Sequence, residues 1–322
     1  MDNQGYGATR PAGTRLAWAM IETTEDLLAR GWTYGEIRDK VRAGTLHRLA
    51  RGRYSDTNPA LLSEDERHLQ LLAALRPGLA DGSVFSHATA GVLHGLWLPS
   101  SELTRVHVTR PGTHRSVGRR VQIHAFPDAG DLTTLQQPDG EPVEVTDLLT
   151  TTLALVTTLA IPAAVAVADS ALRAGLDRDT ALAEVARWKT RPGRRRARLA
   201  LEFADRLSES AGESRSRWLM HELGLPAPVL QQEFTNDDGE WIGRTDFWWP
   251  EHGVIGEFDG KVKYGRLLRP DQRIEDVIQA ERERERALQN LGHWVVRWVW
   301  RSLEAPAEFA KPLTRALARG RR

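Results

Sequence analysis

Asp246, Glu257 and Asp259 lie in the stretch GRTDFWWPEHGVIGEFDGKVKYG, residues 243–265, whose other features are two short apolar runs and a Pro-Glu-His-Gly turn between them. Each run reads as a strand. Side chains alternate across a strand, so Ile255, Glu257, Asp259 and Lys261 share one face, as do Arg244, Asp246 and Trp248 in the first run. If the two strands pair as a hairpin, Asp246 sits beside Glu257. Carboxylates gathered among Phe, Trp, Val and Ile repel one another and raise their own pKa values unless a cation sits among the oxygens. With no Cys or His in the group, the cation that fits is a hard one, Mg2+ or Mn2+, ligated by Asp246, Glu257 and Asp259. Such an ion can activate water and stabilise the charge of an attacked phosphate. The competing reading pairs Asp246 and Glu257 with Arg244, Lys261 or Lys263 at the surface; the apolar flanks and the convergence of three acids weigh against it.

The elements that would position this group follow from periodicity. SESAGESRSRWLMHELG starts a helix, with Ser210 and Glu213 matching a capping box. Glu213 also borders the inward stripe of Ser216, Leu219, Met220 and Leu223, so it can cap the helix or serve the site. RIEDVIQAERERERALQNLG carries Ile274, Val277, Ile278, Leu288 and Leu291 on one face, with Glu281, Glu285 and, more marginally, Arg284 inside that stripe. HWVVRWVW reads as a strand with Trp294, Trp298 and Trp300 on one side and Arg297 on the other.

At 322 residues the chain is about twice the usual domain size, which favours two or three domains. It contains no cysteine, which excludes disulfides, thiol nucleophiles and thiolate zinc sites and suits a cytoplasmic location. The net charge of +1 excludes a global basic field, so any affinity for nucleic acid must come from local patches such as RLARGR, RPGRRRAR and the terminal RALARGRR. No signal peptide is expected, and residues 1–15 read as disordered. The uncharged stretch Leu148 to Ala168 is broken by Pro162 and reads as two buried helices rather than a membrane span.

Residues 16–60 read as a winged helix-turn-helix. Thr23 or Thr24 caps one helix, Thr33 caps YGEIRDKVRAG, and TLHRLARGRYSD turns at Arg51-Gly52 as a basic hairpin would. The second helix would enter the major groove of DNA and the wing would touch phosphate, through Arg38, Lys40, Arg42, Arg48, Arg51 and Arg53. A basic face used for protein contacts is the alternative. Residues 61–190 read as a middle α+β domain with helices at Leu62 to Leu75 and Ser86 to Leu96, and strands at Arg105 to Thr109 and Val121 to Ala125. His87, His94, His107 and His124 show no tight ligand spacing and read as packing or surface histidines. Residues 191–207 form a basic connector with a Pro-Gly hinge, and the last domain runs over 208–322. The fold class is therefore α/β multidomain.

Helix with Glu213, strand with Asp246, strand with Glu257-x-Asp259, helix, strand: in this order the C-terminal part resembles the restriction-endonuclease-like PD-(D/E)xK superfamily, in the branch related to very-short-patch-repair endonucleases. GES, GLPAP, GRTDFWWP, VIGEFDGKVKY, ERERERAL and GHWVVRWVW carry the resemblance. It implies an α/β/α layering, a mixed sheet flanked by helices, and metal-dependent phosphodiester cleavage. Asp246 and Glu257 would hold the metal and Glu213 would support it. Asp259 stands where the superfamily's Lys follows the acid by two residues, so Lys261 or Lys263 would take that role. The N-terminal part resembles the AbiEi-like antitoxins of type IV toxin–antitoxin systems through YGEIRDKVRAGTLHRLARGRY, SHATAGVLHGL, VHVTR and ADSALRAG. That resemblance implies a winged-helix DNA binder, often a repressor of its own operon. Two functions are thus expected to compete: a DNA endonuclease, and a repressor or antitoxin with a silent nuclease fold whose toxin partner the chain does not specify.

Overall fold

The computed structural model describes residues 21–112, 114–125, 131–136, 142–260 and 274–320. Among them the chain forms two compact units, one within Met1–Leu159 and Ala174–Leu199 and the other within Ala160–Arg173 and Ala200–Arg322. The molecule is a mixed α/β protein with three sheets among the described residues.

The first unit begins with β1 (Glu22–Thr23), α1 (Thr24–Ala29), α2 (Tyr34–Ala43), β2 (His47–Ala50) and β3 (Arg53–Ser55). Thr23 and Thr33 accept the N–H groups of Asp26 and Glu36, whose carboxylates return the bond, so two orphan donors are satisfied at each helix start. Gly44, at φ 71°, closes α2 in the left-handed region. The three strands form a small sheet in the order β1-β3-β2. Leu27, Ile37 and Leu46 make its core, with Trp32, Val41 and Tyr54 packed against them.

The chain continues through α3 (Glu64–Leu75), β4 (Val84–Phe85), α4 (His87–Leu93), β5 (Val106–Arg110), β6 (Ser116–Val117), β7 (Val121–Ala125), β8 (Leu132–Gln136), β9 (Pro142–Thr146) and α5 (Leu148–Thr158). A six-stranded sheet results, in the order β6-β7-β5-β4-β9-β8. Next come α6 (Ile161–Arg173), with Pro162 in its first turn, α7 (Arg178–Arg187) and α8 (Arg194–Phe203). No helix of the described residues is long and apolar enough to cross a membrane. The stretch 191–207, expected as a connector, is helical over α8 because Ala197, Ala200 and Leu201 recur at helical spacing and are fully buried.

The second unit contains α6, α9 (Ala211–Glu222), β10 (Val229–Thr235), β11 (Trp241–Trp249), β12 (Val254–Phe258), α10 (Ile274–Asn290), β13 (Trp294–Trp298), α11 (Trp300–Leu303) and α12 (Pro306–Arg319). Its sheet runs β10-β11-β12-β13, antiparallel except for the parallel pair β12–β13. Phe247, Trp249, Val254, Trp298, Phe309 and Leu313 form the core. Trp300, expected on the last strand, instead begins α11 and meets the Phe258 ring edge-on at 5.1 Å.

Two contacts fix α9 in this unit. Asp169 of α6, fully buried, accepts from Arg217 of α9 at 3.0 Å and from the Asp205 N–H at 2.7 Å. At the start of α9, the place where Gly212 would carry a side chain is filled by the Phe258 ring of β12. Only glycine lets the helix approach the strand so closely. Gly212→Val is therefore expected to lower the unfolding free energy of the second unit by about 1–3 kcal/mol through overpacking, read as a fall in urea midpoint.

Candidate functional site

β11 and β12 pair through Trp249↔Val254, Trp248↔Ile255 and Phe247↔Gly256, so one further step of the register sets Asp246 across from Glu257. The ladder ends there. Asp246 turns its Oδ2 to the Phe258 N–H at 2.8 Å, while Oδ1 takes no hydrogen bond from the described residues. On the other side of Asp246 the pairing of β10 with β11 skips Gln231, which adopts φ 54°. A positive φ is uncommon for a residue with a side chain. Its amide donates to Glu213 Oε2 at 2.9 Å.

Glu213 is buried at the first turn of α9. Its Oε2 also accepts the Glu209 N–H at 2.9 Å, and its Oε1 accepts the Ser210 hydroxyl at 2.7 Å. Ser210 caps the helix by accepting the Glu213 N–H, but the expected capping box is not formed, since Glu213 takes the Glu209 N–H and the Ser210 hydroxyl instead of the Ser210 N–H, while its charge bears on Asp246. Gln231 was not singled out by sequence reasoning, because a polar QQE run in a strand carries no mark of the inverted backbone.

Glu257 is 6% exposed and lies beside Arg297 in the parallel pairing of β12 and β13. Arg297 Nη2 forms an ion pair with Glu257 Oε2 at 2.6 Å, and Arg284 Nη2 of α10 donates to Glu257 Oε1 at 2.7 Å. Both guanidiniums also reach Glu281 Oε1, at 3.1 Å from Arg284 and 2.6 Å from Arg297. With Glu285 Oε2 3.4 Å from Arg297 Nε, the result is a network of three acids and two arginines. Arg284 reaches it because its side-chain stem lies against Gly243, where a larger residue would intrude, and its Nη1 donates to the Arg244 carbonyl at 3.2 Å. The cations beside Glu257 are thus Arg284 and Arg297, whereas Arg244 pairs with Glu209 at 2.7 Å.

The electrostatics follow from this asymmetry. Burial, then the charges of Glu213 and Glu257, push the Asp246 carboxyl up to about 7 against the pull of the Phe258 N–H and Arg284. Burial also raises Glu213, opposed by its hydrogen bonds from Ser210 and Glu209. For Arg284 and Arg297 burial works the other way, yet Glu257 and Glu281 carry both above the ordinary arginine value. Glu257 thus has ion-pair partners, and among the described residues Asp246 has none.

Asp259 stands just beyond β12, with its N–H donating to the Trp298 carbonyl at 2.7 Å. Lys261 and Lys263 lie outside the described residues. Among the described residues no three His, Asp or Glu side chains converge so as to hold a metal ion, so what the structure assembles is the Asp246–Glu257 pair, with Glu213 acting on Asp246 through its charge.

In the first unit, Tyr34, Arg38 and Arg42 recur at four-residue spacing on the exposed face of α2. Asp39 lies 3.2 Å from Arg42 and 3.9 Å from Arg38. The Lys40 ammonium lies over the Trp32 ring at 4.7 Å. Arg48 donates to the Ala50 carbonyl at 3.3 Å, Arg51 is exposed at the hairpin turn, and Arg53 is half-buried.

The raised pKa of Asp246 has a signed consequence. Between its unfolded value near 3.8 and about 7 the folded chain binds more protons than the unfolded one, so stability falls as pH rises through that window. Asp246→Asn removes this residue's contribution to the slope. The variant should match the wild type near pH 4 and exceed it near pH 8 by roughly 2 kcal/mol after allowance for solvent screening, measured by urea unfolding at both pH values.

No family model matches the chain. The uncharacterized proteins Rv2248 and MT2308 of Mycobacterium tuberculosis, from strains H37Rv and CDC 1551, are each 31% identical to it over 238 residues, covering 70% of this chain and 78% of theirs. Among solved structures, the crystal structure of RV2827C protein from Mycobacterium tuberculosis matches with a TM-score of 0.38 and 17% identity, over 69% of this chain and 86% of that one.

Proposed function

The chain belongs to the family of the uncharacterized Mycobacterium tuberculosis protein Rv2248, and we propose that this member is a DNA-directed endonuclease dependent on a divalent metal ion, Mg2+ or Mn2+. One observation carries the reading. Glu213 of α9 and Glu257 of β12 both bear on the Asp246 carboxyl of β11 in a mixed four-stranded sheet, and Asp246 makes no ion pair with the described residues. The order of elements, a helix, three antiparallel strands, a helix and a parallel strand, agrees with the resemblance to restriction-endonuclease-like proteins.

The donor set fits such an ion. Every candidate ligand is a hard oxygen, Asp246 Oδ1 takes no bond from the described residues, and Mg2+ commonly keeps several waters while taking only one or two carboxylates. Asp246 and Glu257 would hold it, with waters completing the shell; Asp259 and Glu213, expected to join them, do not converge with the pair among the described residues. When bound, the ion supplies an activated water and positive charge at the attacked phosphate. The chain's own groups do the rest. The Phe258 N–H fixes the Asp246 carboxyl, Glu213 keeps that carboxyl basic, and Arg284 brings a guanidinium to the pair where charge develops on phosphate. Lys261 or Lys263 would orient the water. Arg38, Lys40, Arg42, Arg48, Arg51 and Arg53 of the winged-helix-like front would hold the DNA backbone.

A second reading, a repressor or antitoxin that binds its promoter without cutting, is favoured by one observation: both Glu257 oxygens are already held by arginines.

Nicking of supercoiled plasmid by the purified chain tests the two. Nicking that requires Mg2+ or Mn2+ and falls at least about 100-fold in Asp246→Asn and Glu257→Gln is expected. Undiminished nicking in both variants overturns the assignment, and DNA binding without any nicking leaves the repressor. Replacing Arg38 and Arg42 together by Ala should weaken DNA binding irrespective of sequence and reduce the slope of log affinity against log salt by about 2, measured by fluorescence anisotropy.

A further inference from the structure

A second site lies in the first unit, where a cavity of about 610 Å³ opens among α4, β7, α5 and the segment after α7. Its volume falls within the range of small-molecule sites and far exceeds what a single inorganic ion fills. Two kinds of wall meet in it. One is made of rings. His87 and His124 stack with centroids 3.5 Å apart and planes 12° from parallel, and His124 Nε2 shares a hydrogen bond of 3.0 Å with His107 Nδ1 behind it. Parallel imidazoles cannot aim their nitrogens at a common point, so the stack offers a flat face rather than a metal cage. His87 adopts φ 47°, uncommon for a side-chain-bearing residue, and its Nδ1 is tied to Ser86 Oγ at 3.1 Å.

The other wall is cationic. Lys189 and Arg191 line the rim, and Arg191 is held over the Trp188 ring at 4.2 Å. This segment is anchored: Gly193, at φ 81°, packs against the Thr157 carbonyl where any side chain would collide, and Arg196 donates to that same carbonyl at 2.7 Å. No carboxylate lines the cavity among the described residues. Burial, foremost, keeps the imidazoles uncharged, with His107 held down to about 3 and His124 to about 4. The ring wall therefore stays neutral at physiological pH while the rim stays positive.

A flat neutral wall beside an arginine and a lysine matches a ligand with an aromatic ring at one end and a dianion at the other. We propose that this cavity binds a mononucleotide, its phosphate on Lys189 and Arg191 and its base against the His87–His124 stack. The site is separate from the carboxylates of the second unit and needs no metal ion.

Calorimetry on the full chain in EDTA, with AMP, adenosine and inorganic phosphate as titrants, tests this independently of any nuclease activity. AMP should bind saturably at one per chain and more tightly than either adenosine or phosphate. Joint replacement of the exposed Lys189 and Arg191 by Ala should weaken AMP at least about tenfold with the circular dichroism unchanged. His87→Asn, which tolerates a positive φ, should weaken AMP more than phosphate. Absence of saturable AMP binding up to roughly millimolar concentration, adenosine binding as tightly as AMP, or wild-type AMP affinity in the double variant would each overturn the proposal.

Discussion

The charge balance at Glu257 is the constraint on which the second unit's geometry turns. A buried carboxylate without a partner would cost several kcal/mol, and the structure supplies two guanidiniums from different elements, Arg284 of α10 and Arg297 of β13. Glu281 bridges both, so the pair of arginines does not repel. Helix, central strand and edge strand are thereby locked at one point. Asp246 stands next to this network yet makes no ion pair with the described residues, and burial with the charges of Glu213 and Glu257 displaces its pKa upward.

Much of this was legible in the sequence, and the reasons for what was not are physical. The hairpin and its acids could be read because strand periodicity is strict and Pro250 to Gly253 mark the turn. The caps at Thr23, Thr33 and Ser210 could be read because capping is local. Arg284 could not be chosen from ERERERAL alone, since several arginines on one charge-dense helix are equivalent until a neighbour selects one. Here the neighbour is Gly243, whose missing side chain admits the arginine stem. The resemblances to nuclease and antitoxin families guided expectation without fixing which cations stand beside Glu257.

The first unit shows the same division. α2 and the β2–β3 hairpin follow from their caps and turn glycines, but β1, β4 and β6 span only two residues each and carry no periodic signal. The histidines read as ordinary packing residues because His87, His107 and His124 come from α4, β5 and β7, and only the sheet order brings their rings together. Spacing along a chain reports contacts within an element and is blind to those made across a sheet.

The Asp169–Arg217 pair has a bearing on how the chain is made. α6 leaves the ribosome well before α9, so Asp169 spends that interval without the guanidinium it will later be buried against. The first unit in turn needs Ala174–Leu199, which emerges after α6 has already been released. Each unit is thus completed by sequence that lies on the far side of a piece of the other, so cutting the gene at a single point cannot release both whole, and vectorial synthesis must hold α6 in waiting until its partner arrives.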